Sequence, residues 1–105
     1  MTVPFHAKLK GKVAVVTGGT GALCRVMAGA LAECGAGVAV LSRRQDAVDA
    51  AAAEIRAAGG RAIGVPCDVL DRDSLRKAHA AIRQQLGPVD ILINGAGGNN
   101  SKATT

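Results

Sequence analysis

Lys12-Val-Ala-Val-Val-Thr-Gly-Gly-Thr-Gly-Ala-Leu-Cys24 is the stretch whose reading decides the fold. Its first half is a continuous, mostly β-branched run, the pattern of a strand buried on both faces. A glycine turn follows at once. From Thr20 to Cys34 the residues Leu23, Met27, Ala30, Leu31 and Cys34 fall on one helical stripe. Glycines between a strand and a helix permit a tight turn and let backbone N–H groups approach a pyrophosphate. The helix N-terminus adds a partial positive charge. Gly18, Gly19, Thr20 and Gly21 are therefore expected to bind phosphate, against the plainer alternative of an ordinary strand-to-helix turn. Cys24 stands where dinucleotide-binding turns carry a third glycine for close helix–strand packing. Cysteine is small enough to be buried there.

Outward from this stretch the same alternation continues. Gly35 stands where the first helix should stop. Gly37-Val-Ala-Val-Leu41 reads as a second buried strand, and residues 45–58 as a helix burying Val48, Ala52 and Ile55. Gly59-Gly60 ends that helix. Arg61–Pro66 reads as a third strand, its proline placing it near an edge or a strand end. Asp71 is a candidate cap for a third helix with Leu75, Ala78, Ile82 and Leu86 on its stripe, stopped by Gly87-Pro88. Val89-Asp-Ile-Leu-Ile93 reads as a fourth buried strand. The order β-α-β-α-β-α-β implies α/β architecture, a Rossmann-like doubly wound parallel sheet with right-handed crossovers. It is the N-terminal portion only, because a full dinucleotide fold needs two such halves. Residues 1–105 are expected to form a single, incomplete dinucleotide-binding domain.

Composition removes other classes. The chain has 105 residues, 49% hydrophobic and 20% charged, with one Phe and neither Trp nor Tyr. That apolar fraction is too high for a disordered chain. The apolar runs are far shorter than the roughly 20 residues that span a bilayer. Met1–Lys12 lacks the apolar core of a secretory signal. Three cysteines without a Cys-x-x-Cys or Cys/His cluster fit reduced thiols in a cytoplasmic protein and make a metal site unexpected. The net charge of +5 raises nucleic acid as a partner. The basic residues are dispersed, however, and no aromatic platform exists to stack bases. Neither nucleic acid nor membrane is expected as a partner.

Three further constellations stand at strand ends, where open α/β sheets bind ligands. Ser42-Arg43-Arg44 follows strand two. An acidic residue here would accept from the ribose hydroxyls of NAD, whereas a hydroxyl and an arginine suit the 2′-phosphate of NADP. NADP is therefore expected over NAD. The alternative makes Ser42 a cap of helix two, with Gln45 completing a capping box. Cys67-Asp68-Val69 closes strand three, and the Asp68 carboxylate could accept from an adenine amino group or merely cap the following loop. Asn94-Gly-Ala-Gly97 forms a small-residue loop after strand four, suited to a ribose or to a simple turn.

Together Val16-Thr-Gly-Gly-Thr-Gly-Ala-Leu23, Cys67-Asp-Val69 and Val89-Asp-Ile-Leu-Ile-Asn-Gly-Ala-Gly97 resemble the N-terminal part of the short-chain dehydrogenase/reductase family. The resemblance covers roughly residues 8 to 105. Against the family's T-G-x-x-x-G-x-G, Ala22 and Cys24 replace two glycines. Within the family, Gly95–Thr105 is similar to the segment of D-mannonate oxidoreductase (fructuronate reductase) types. The resemblance implies that Thr20, Gly21 and Leu23 line the pyrophosphate and that Ser42 and Arg43 meet the adenosine ribose or its phosphate. It likewise implies that Asp68 and Val69 meet the adenine, and Asn94, Ala96 and Gly97 border the nicotinamide ribose. The family's later Ser and Tyr-x-x-x-Lys, which move the proton, have no counterpart in this sequence. His6 and His79 are no substitute, His79 reading as a packing or surface residue.

The resemblance thus implies an NAD(P)-dependent oxidoreductase that interconverts a carbonyl and an alcohol on a small polar substrate such as a sugar acid. The complete protein is expected to be a homo-oligomer, and the 105-residue chain alone to be inactive. A non-catalytic nucleotide-binding module, or a truncated inactive fragment, is the alternative.

Overall fold

The computed structural model describes residues 9–18 and 21–95. They form β1 (Val13–Thr17), α1 (Ala22–Glu33), β2 (Gly37–Ser42), α2 (Gln45–Ala57), β3 (Arg61–Pro66), α3 (Arg72–Gln85) and β4 (Ile91–Asn94). Each strand pairing is parallel, in the order β3-β2-β1-β4. The chain steps outward from β1 through β2 to β3, and α3 then carries it back to lay β4 against the other side of β1. This reversal is the topological switch point of a doubly wound sheet, whose order 3-2-1-4-5-6 begins with these four strands. The α/β Rossmann-like architecture is therefore present.

Strand alternation sorts the apolar residues into two cores. Ala14, Val16, Val38 and Val40 pack beneath α1 and α2 with Ala28, Val48, Ala52 and Ile55. Val13, Val15, Ala39 and Leu41 face α3, where Ala78 and Ile82 cover them. Because β1 and β2 are covered on both sides, their sequences are apolar without interruption. The α2 stripe buries Val48, Ala52 and Ile55 as its periodicity predicts, whereas on α3 Ala78 and Ile82 are buried, Leu86 is half-buried and Leu75, in the first turn, is 40% exposed. Pro66 ends β3, an edge strand, where its missing N–H interrupts no ladder.

Two further expectations need correction. The stripe predicted for α1 is out of phase, since Leu23 is 71% exposed and Ala30 is also exposed. Ala28 is the buried residue of α1, with Cys24, Leu31 and Ala32 packed partly against the same core. Small side chains let the helix lie close to the sheet, and that approach, rather than the largest apolar residues, sets its rotation. β4 is also not buried on both faces. Ile91 and Ile93 are half-buried, while Leu92 is 64% exposed, because β4 pairs only with β1 among the described residues.

The register of β4 is fixed at both ends. Asp90 accepts from the Val13 N–H through Oδ2 at 3.0 Å, and its own N–H donates to the Val13 carbonyl at 2.9 Å. At the other end the Gly95 N–H donates to the Thr17 carbonyl at 3.0 Å. Thr17, Leu41 and Asn94 consequently stand level across the sheet.

Candidate functional site

That level edge gathers the predicted residues. Gly18 leaves β1 in the left-handed region, with φ of 69°, where a side chain would be strained. Its N–H donates to the Leu41 carbonyl at 2.8 Å, and Gly21 closes the turn by donating to the Gly18 carbonyl at 3.1 Å. Gly19 and Thr20, between them, lie outside the described residues, as do Ala96 and Gly97. Gly21 is the N-cap of α1, and Leu23 sits exposed in its first turn.

The three helix starts differ in a way that bears on phosphate. Asp71 caps α3, its carboxylate accepting from the Asp73 and Ser74 N–H groups at 3.0 and 3.4 Å. The first turn of α2 carries Asp46. α1 has neither a side-chain cap nor an acidic residue in its first turn. The positive end of its dipole and its leading N–H groups thus meet no protein anion among the described residues, an arrangement that fits a bound pyrophosphate.

At the end of β2, the alternative in which Ser42 caps α2 fails. Arg44 is the N-cap, no side chain caps the helix, and Gln45 instead donates to Asp49 Oδ1 at 2.9 Å. The helix begins too late for the Ser42 hydroxyl to reach its free N–H groups. Arg44 donates to Asp46 Oδ2 at 2.9 Å. That hydrogen bond, and then the guanidinium charge, hold the Asp46 carboxyl below its ordinary range, so it stays ionised at neutral pH. Arg43 is exposed and enters none of the ion pairs among the described residues.

The loop after β3 is tied to this point, the Cys67 N–H donating to the Ser42 carbonyl at 2.7 Å. Asp68 does cap its own loop, Oδ1 accepting from the Leu70 N–H at 3.0 Å. This leaves Oδ2 for another donor. Asp68 and Val69 are both half-buried. Across the sheet, the Thr17 hydroxyl donates to Asn94 Oδ1 at 2.9 Å and orients that amide at the end of β4. Turn, arginine, aspartate and asparagine therefore lie along the carboxyl ends of adjacent parallel strands, flanking the switch point. His79 is exposed on α3 and lines an apolar groove on the α3 face of the sheet, which Thr17 and Leu41 also line. Among the described residues no group of three or more His, Cys, Asp or Glu could hold a metal, and no helix is long and apolar enough to cross a membrane.

Sequence reasoning passed over one contact. Gly95 lies against Cys24, such that a Cβ on Gly95 would overlap the Cys24 sulfur. The glycine-rich loop and the replaced third glycine were each legible, but nothing in the sequence joins them.

A family model described as short chain dehydrogenase matches residues 12–105. The chain belongs to that family. An uncharacterized oxidoreductase, UxuB, of Bacillus subtilis (strain 168) is 52% identical over 103 residues, covering 98% of this chain and 37% of that protein. D-threitol dehydrogenase of Mycolicibacterium smegmatis is 36% identical over 97 residues, covering 92% and 37%. A crystal structure of a Haemophilus influenza protein assigned as a D-mannonate oxidoreductase, with bound NAD, superposes with a TM-score of 0.83 at 41% identity. It covers 92% of this chain and 35% of its own. An actinorhodin polyketide ketoreductase variant with NADPH gives 0.79 at 36% identity, covering 82% and 33%. The chain spans roughly a third of the length of the curated relatives that it matches. Family members thus hold either dinucleotide on this framework.

Proposed function

We propose that the chain is the dinucleotide-binding part of an NAD(P)-dependent oxidoreductase that interconverts a carbonyl and an alcohol on a sugar acid such as D-mannonate or fructuronate, with NADP preferred. The observation that carries this reading is the pairing of two features at one sheet edge. Among the described residues, the α1 N-terminus meets no protein anion and Arg43, at the end of β2, has no ion-pair partner. The first suits a pyrophosphate, and the second suits a 2′-phosphate on the adenosine ribose. The nicotinamide, when bound, supplies or accepts the hydride. Asn94, held by Thr17, would border its ribose, and Asp68 Oδ2 would accept from the adenine. The chain has no tyrosine, so the proton transfer of the family's reaction is assigned to none of its residues. The sugar-acid reading is supported by the likeness to the protein assigned as a D-mannonate oxidoreductase.

Fluorescence titration of the full-length protein with NADPH and NADH tests the reading. NADPH is expected to bind at least about tenfold tighter, the effect of one charge-assisted phosphate contact. Equal affinities would remove the NADP preference, and failure of both to bind would remove the nucleotide site. Turnover of fructuronate, but not of a neutral ketose, tests the substrate class.

A further inference from the structure

Cys24 is the third residue of α1, in the first turn of the helix that begins at the glycine turn. It is half-buried and packs against the core shared by β1, β2 and α2. Gly95 directly follows β4. A Cβ built on Gly95 would overlap the Cys24 sulfur and come within 3.0 Å of the Thr17 carbonyl oxygen, yet it would stand 3.8 Å from the Cys24 Cβ. The volume missing at position 95 is therefore filled by sulfur specifically.

We infer that Cys24 and Gly95 are a matched pair of positioning residues: the thiol, seated where Gly95 lacks a side chain, sets the spacing between the turn after β1 and the loop after β4. This inference rests on the proposed nucleotide site, since those two segments would meet the pyrophosphate and the nicotinamide ribose. A dinucleotide that bridges both segments needs them at one fixed separation. In a protein with glycine at position 24, the backbones themselves would set that distance. Here a side chain sets it, so a bulkier residue at position 95 can be offset by a smaller one at position 24.

The test is a double-mutant cycle in the full-length protein with Gly95→Ala, Cys24→Ala and the double variant, beside Cys24→Ser. Thermal unfolding and NADPH titration are read for each, with binding measured where every variant is folded. Gly95→Ala is expected to weaken binding about tenfold or more, and the double variant to recover to within about threefold of wild type. The Thr17 carbonyl contact keeps that recovery incomplete. Cys24→Ser should bind like wild type, because its oxygen occupies nearly the same place. Losses that simply add in the double variant would overturn the inference. So would a Gly95→Ala protein that melts earlier but binds NADPH as wild type does, since the contact would then be structural only. If wild type binds neither dinucleotide, the inference falls together with the proposed function. If wild type binds and the double variant shows no recovery, the inference alone falls.

Discussion

Arg43 and Arg44 are neighbours in sequence, but their charges stand in different circumstances. Arg44 is already partnered by Asp46, whose lowered pKa keeps the pair intact as pH falls into the acid range and breaks it only below the ordinary carboxylate value. Arg43 has no such partner among the described residues. Removing Arg43 should therefore cost the phosphate contact outright. Such a contact is worth on the order of 1.5–3 kcal/mol, so Arg43→Ala should weaken NADPH about tenfold to a hundredfold. NADH, which lacks the phosphate, should bind nearly unchanged. Added salt should narrow the difference, since the group is exposed. Arg44→Ala should cost much less, because Asp46 already offsets its charge. Comparable losses from the two variants in the same titrations would show that the structure has singled out the wrong arginine.

Elements meet at distances set by their smallest residues, and two glycines separate the consequences. A Cβ on Gly64 of β3 would overlap the Val48 carbonyl oxygen of α2 and approach its carbonyl carbon to 2.6 Å. Backbone cannot swing away as a side-chain tip can, so Gly64→Ala should destabilise by about 1–3 kcal/mol through overpacking. A methyl group on Gly29 of α1 would meet nothing within 4 Å. Gly29→Ala should therefore stabilise by about 0.5–1 kcal/mol, the helix-propensity difference. Urea unfolding of both variants reads the opposite signs, and a neutral Gly64→Ala would mean that α2 can lift from the sheet. The elements themselves were legible from the sequence. The unbroken apolar runs of β1 and β2, and the stripe of α2, name residues that are buried, while the α3 stripe holds for Ala78 and Ile82 but not for Leu75. The rotation of α1 was not legible, because hydropathy favours Leu23 while the close approach of helix to sheet selects Ala28. The exposure of Leu92 was not legible either, since a strand's burial depends on neighbours that its own residues do not encode. In the site, the strand-end residues could be read individually. Whether Ser42 capped α2 depended on where that helix starts, and the seating of Cys24 on Gly95 joins positions distant along the chain.

Across the whole molecule, apolar surface collects around β4. Leu92 is exposed on the α3 face, beside a groove of ≈ 290 Å³ that Val15, Leu75, Ile82 and Val89 also line. On the opposite face, Leu23 and Val26 of α1 are 71% and 69% exposed. Among the described residues β4 pairs on one side only, with β1. A doubly wound sheet of order 3-2-1-4-5-6 places another strand beside β4, and the curated relatives are roughly three times as long as this chain. A polypeptide of these 105 residues by itself would thus present an apolar strand edge, a template for pairing with other chains, flanked by apolar patches that favour association. Sedimentation velocity of that polypeptide should show association that rises with concentration. Leu92→Lys should shift it toward monomer, since a charge on an edge strand opposes strand addition and Leu92 contributes little to either core. A single monomeric boundary for the unsubstituted polypeptide over the same concentrations would mean that this surface is covered within one chain.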